Sequence, residues 1–95
     1  MKYEIMFIVR PNLEENAIKE VGKNFEKVLT DNKAKIISSK EYGQRQLAYE
    51  IKKHKSGYYF IIEVISDNPK AINEFDRLAT LSEDIIRHMI IKEEE

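Results

Sequence analysis

The sequence predicts an α+β sandwich: a four-stranded antiparallel sheet with two helices packed on one face. Three observations carry this. Two stretches with helical spacing alternate with four β-prone stretches, in the order β-α-β-β-α-β. Each helical stretch links two strands, and right-handed crossovers of that kind put both helices on the same side of the sheet. The chain has 95 residues, enough for one core, so residues 1–95 are read as a single domain.

The elements follow in order. KYEIMFIV (Lys2 to Val9) is β-prone, with Tyr3, Ile5, Phe7 and Val9 on one face and Pro11 ending the run. Asn12 stands three residues before Glu15, a capping-box pattern that predicts the first helix start. Leu13, Ala17, Ile18, Val21, Phe25, Val28 and Leu29 then recur at helical spacing, and Thr30-Asp31-Asn32 closes the helix. AKIISSKEYGQRQLAYEIKK predicts a long second strand, which Gly43 interrupts with a bulge or bend. Beyond it Leu47, Tyr49 and Ile51 share a face. HKSG is the expected turn, and GYYFIIEVIS the third strand. Asn68 and Pro69 predict the second helix start, with a stripe of Ala71, Ile72, Phe75, Leu78 and Ala79. IIRHMIIK (Ile85 to Lys92) is the last strand.

This is the ferredoxin-like arrangement, whose strand order is 4-1-3-2. Its second and fourth strands are edges, and one sheet face carries no helix. In the third strand, Tyr58, Phe60, Ile62 and Val64 are expected in the core, because the alternative buries Glu63 unpaired. Tyr59 and Ile61 then lie on the open face, beside Met6 and Ile8 of the first strand. An apolar strip there is a candidate contact surface.

Composition excludes several functions. Cysteine is absent, so there is no disulfide framework and no thiolate chemistry, which fits a reducing compartment. No apolar run approaches the roughly 18 residues of a membrane span, and the N-terminus lacks a cleavage signal, so a cytoplasmic location is expected. Sixteen basic and 17 acidic residues give a net charge of −1, which argues against nucleic-acid binding through global charge. No enzyme is expected. His54 falls in a turn and His88 in a strand, neither beside a partner in a catalytic motif. No metal or cofactor is expected: the carboxylates show no ligand spacing, Gly22, Gly43 and Gly57 form no phosphate loop, and Glu93 to Glu95 reads as a frayed acidic end. An acylphosphatase-like enzyme, with Arg10 as its anion ligand, would need a glycine-rich loop where RPNLEE stands.

Binding surfaces are better represented. SGYYFII echoes an RNA-recognition motif, but in a register that turns Tyr58 and Phe60 toward the core. Basic residues cluster at the sheet margins: Lys2 on the first strand, Arg87 and Lys92 on the last, and Lys52, Lys53 and Lys55 at the hairpin. Grouped in this way they suit phosphates of a structured RNA.

G-x-R-x-L-A-Y-x-I-x-K, carried by Gly43, Arg45, Leu47, Ala48, Tyr49, Ile51 and Lys53, precedes Gly57-Tyr58-Tyr59. Tyr3, Glu4, Ile8, Pro11, Asn12 and Leu13 give Y-E-x-x-x-I-x-x-P-N-L, and Arg87, Met89 and Lys92 give R-x-M-x-x-K. Taken in order, these motifs resemble those of the bacterial small-subunit ribosomal protein S6 family from end to end. Glu50 departs from the proline that many members carry; it can guard the edge by charge, as proline does by lacking an N–H.

The resemblance implies a non-catalytic constituent of the small ribosomal subunit. It would bind the central domain of small-subunit rRNA as a heterodimer with the small basic ribosomal protein S18. The basic partner would supply much of the phosphate neutralisation. Arg45, Leu47, Ala48, Tyr49, Tyr59 and Ile61 are the expected partner contacts; equally, Leu47 or Tyr49 fills core. Lys2, Tyr3, Arg87 and Lys92, then Lys53 and Lys55, are the expected RNA contacts. The competing expectation is a ferredoxin-like regulatory module that dimerises through its sheet and binds no RNA.

Overall fold

Six elements appear in the expected order in the computed structural model, which describes residues 1–93. They are β1 (Lys2–Val9), α1 (Glu15–Asp31), β2 (Lys35–Ile51), β3 (His54–Ile65), α2 (Lys70–Leu81) and β4 (Ile85–Glu93). The sheet is antiparallel, in the order β2-β3-β1-β4, which is 4-1-3-2 read from the other edge.

Period-two alternation in β1 sends Tyr3, Ile5, Phe7 and Val9 beneath the helices. There they meet Phe60, Ile62 and Val64 of β3, and Ile18, Phe25 and Leu29 of α1. Ala71, Ile72, Phe75 and Ala79 of α2 complete the core. Phe7 is its centre. Its ring stacks on Phe60 at 5.0 Å and meets Phe25 and Phe75 at 5.6 and 5.7 Å. Tyr58 and Phe60 are therefore turned toward the helices and cannot serve as a base-stacking platform on the open face.

The helix starts differ from the sequence signals. Helix α1 begins at Glu15, and Glu14 occupies its cap position without a side-chain cap bond. Asn12 is not a cap: its Oδ1 accepts from Arg10 Nη1 at 3.1 Å. Ahead of α2, Asn68 does act locally, its Oδ1 accepting from the Lys70 N–H at 2.9 Å, with Pro69 between them.

The hairpin turn also moves. It is not HKSG but Lys52-Lys53, because Ile51 pairs with His54 and β3 starts there. Both lysines hold positive φ, 49° and 69°, the mirror-image turn that matches strand twist. Asn-Gly is the usual choice, and a lysine in this region costs roughly 1 kcal/mol or more. Lys33, at φ 70°, holds the same conformation just past α1, where the Ala34 N–H reaches back to Leu29 O. Gly43 sits at φ 77°, and a Cβ there would meet nothing within 4 Å, so backbone conformation alone favours glycine. The β2–β3 register shifts beside it, as expected.

Gly57 has another reason. It pairs with Arg45 inside the sheet, and a Cβ there would collide with Ile8 Cγ2 and lie 3.3 Å from Ile86 Cδ1. Ile8 was expected on the open face. It lies on that side, yet it is only 2% exposed, and Ile86 only 4%. Both stand outside the main core. The cover comes from the far end of the β2–β3 hairpin: its register slips between Gln46 and Ile51, and its last residues lean across the open face.

Candidate functional site

The leaning arm shapes the open face into a hollow of about 190 Å³, lined by Met6, Ile8, Leu47, Ala48, Tyr49, Ile51, Tyr59 and Arg87. Strand parity puts Met6 and Ile8 there from β1 and Tyr59 from β3; Arg87, paired with Ile8, comes from β4. Four of the expected partner contacts, Leu47, Ala48, Tyr49 and Tyr59, thus meet around one hollow. The even choice between core and surface goes against the core for both: Leu47 is half-buried in the hollow wall, and Tyr49 is 77% exposed. Ile61 sits one step along, paired with Met6 and Lys40. Arg45, paired with Gly57, is exposed, its Nε donating to Tyr42 O at 3.1 Å. Met6 and Ile8, expected on the open face, also line the hollow, as does Ile51, though none of the three was named as a partner contact. Their signal was parity, since Ile51 shares a face with Leu47 and Tyr49.

Beyond the hollow the open face continues through Met89 and Ile91, 41% and 48% exposed, and then turns polar. Glu4 lies directly opposite Glu63. Lys2 Nζ bridges Glu63 at 3.2 Å and Glu93 at 3.5 Å. The Glu63 hydrogen bond, and then the charge of Glu93, hold the Lys2 ammonium above the usual lysine range. Glu93 is therefore part of β4, not a frayed end; Glu94 and Glu95 lie outside the described residues.

The six expected RNA contacts do not come together. Tyr3 is buried on the helix side, its hydroxyl donating to Met1 Sδ at 3.6 Å, so its ring is withdrawn from any ligand. Lys2 is engaged by two carboxylates. Arg87 and Lys92 are five residues apart, an odd number, so the strand turns them to opposite faces: Arg87 pairs with Ile8 and Lys92 with Tyr3. Lys53 and Lys55 are exposed on the arm, at the Arg87 end of the sheet.

Among the described residues, the other polar side chains form structural pairs. His88 Nε2 lies 2.7 Å from Asp76 Oδ1, and its ring packs edge-on against Phe75, so it ties β4 to α2. Arg10 is held by Asp84 at 2.8 Å, while its N–H donates to Asp84 O. Among the described residues no three metal-ligating side chains gather, and no helix is long and apolar enough to cross a membrane.

An antiparallel sheet backed by two helices, with an apolar hollow on its uncovered face, defines a ferredoxin-like α+β domain. The model of the family "Ribosomal protein S6" matches residues 2–92. The crystal structure of 30S ribosomal protein S6 from Thermotoga maritima superposes with a TM-score of 0.90 at 31% identity, covering 95% of this chain and 84% of that one. The chain belongs to the ribosomal protein S6 family and is a constituent of the small ribosomal subunit. The family is one of structural ribosomal proteins, not of enzymes, and RNA binding is a general property of it.

Proposed function

We propose that the chain binds the central domain of small-subunit rRNA as a heterodimer with ribosomal protein S18, seated on the open face of the sheet. The observation that carries this reading is the hollow. It gathers apolar side chains from β1, β2 and β3 on the one face the helices leave bare. Leu47, Ala48, Tyr49 and Tyr59 are the partner contacts, with Ile61 and Arg45 at the margin. Arg87, Lys53 and Lys55 are the RNA contacts that the fold leaves exposed and at one end of the molecule. A net charge of −1 leaves much of the phosphate neutralisation to the basic partner.

The test is fluorescence anisotropy of a labelled central-domain RNA fragment, with the chain alone, S18 alone and both, across a salt titration. Tight, salt-sensitive binding only with both proteins is expected, and Arg87→Ala should flatten the log–log salt slope by about one unit. An RNA-blind mixture at low salt, with both proteins folded, overturns the reading. A homodimer of the chain that excludes S18 would instead favour a sheet-mediated regulatory module.

A further inference from the structure

At the centre of the open face two methionines stand side by side. Met6 of β1 pairs directly with Met89 of β4, and on its other side with Ile61 of β3. Side chains so placed have Cβ atoms about 5 Å apart. Every other apolar position of β1 and β4 holds a β-branched or aromatic residue, the ordinary choice in a strand. Two of the chain's three methionines therefore face one another where strand propensity does not call for them. Met6 lines the hollow and Met89 is 41% exposed, so the pair is open to small solutes in the free chain. Neither belongs to the core beneath the helices.

Methionine suits a contact surface, because its flexible, polarizable side chain moulds to a partner. Its sulfur is also a group that oxidants attack. The sulfur lone pair takes an oxygen atom from hydrogen peroxide: an S–O bond forms, the O–O bond breaks and water leaves. Sulfur is oxidised by two electrons and the peroxide is reduced. A dithiol reverses the change, returning the thioether and leaving a disulfide and water, in a step that sulfoxide reductases catalyse. The chain contains no cysteine, so no thiol of its own intercepts the oxidant or repairs the sulfoxide. Met1, the third methionine, stands outside the hollow, its Sδ accepting the Tyr3 hydroxyl at 3.6 Å.

We propose that Met6 and Met89 form a redox-sensitive modification site: oxidation of the pair by a peroxide shuts the open face to its protein partner, and a sulfoxide reductase reopens it. This rests on the S18 reading above and adds a control to that same face. In the free chain water solvates each new sulfoxide oxygen, so the fold tolerates it. Under a docked partner the oxygen gives up its water in a strip shared with Ile61 and Ile91, which is costly unless the partner brings a donor. A docked partner also covers the pair, so the device acts on the chain before assembly and not after it.

The test treats the free chain with hydrogen peroxide, removes the oxidant and titrates the chain with S18 by calorimetry. Peptide mass spectrometry reads which methionines carry oxygen. Sulfoxide at Met6 and Met89 should weaken association by roughly 10-fold or more. Methionine sulfoxide reductases with dithiothreitol should restore it, and the oxidised chain should still melt cooperatively, close to the untreated one. Met6→Leu/Met89→Leu should melt and bind S18 as the wild type does, and should keep that affinity after peroxide although Met1 is still oxidised. Chain already bound to S18 should oxidise more slowly at both positions. Undiminished affinity of the oxidised wild type overturns the switch, as does a peroxide-sensitive leucine variant or a loss of affinity that follows unfolding. Failure of the untreated chain to bind S18 overturns the partner reading, and the switch with it.

Discussion

Phe7 shows how much one residue carries. Three aromatic rings lie within 5.7 Å of it, from α1, β3 and α2, and it is fully buried. Phe7→Ala should cost about 3–5 kcal/mol in urea unfolding, a large part of the roughly 5–15 kcal/mol a domain holds in total. Its place was legible, because alternation in KYEIMFIV fixes its face. Gly57 was not legible in the same way. Beside Ser56 it reads as a turn signal and draws the turn two to four residues too late. Its actual constraint is the approach of Ile8 across the sheet, which no local pattern records.

At the scale of elements, the strands define the site by parity and register. Parity was in the sequence: Arg87 and Lys92 fall on opposite faces by counting alone. The lean of the arm was not, since it depends on register slips at Gly43 and after Gln46 and on contact with a distant strand. Register also explains Lys2, which joins β1 to β3 and β4 through Glu63 and Glu93. Its folded pKa lies above the unfolded 10.5, so the bridge contributes fully below that pH and fades as pH climbs through the folded value. Lys2→Met should lower the melting temperature slightly at neutral pH. The gap from wild type should close in melts run above pH 10.5.

For the whole molecule, net charge misleads and distribution informs. The total of −1 conceals carboxylates gathered around Lys2 and a lysine-rich hairpin at Lys52, Lys53 and Lys55. A basic partner lying along this face would meet both the hollow and the carboxylates beyond it. Association with S18 should therefore weaken as salt rises from about 0.05 to 0.5 M, while retaining an apolar share that salt does not remove; calorimetry at several salt concentrations measures the two parts. The same architecture superposes on the Thermotoga maritima protein at 31% identity, so the pattern of apolar faces, more than the particular residues, holds the shape.

The position of β1 has a bearing on how the chain is made. It is the first strand in sequence and the central strand in space, with β3 on one side and β4 on the other. A growing chain therefore exposes its middle strand earliest and supplies that strand's second neighbour last. Until Ile85–Glu93 has left the exit tunnel, one edge of β1 lacks its ladder and Ile5 and Phe7 lack part of their cover. The sheet closes only after β4 emerges, and until then its central strand has an edge open to pairing with other chains.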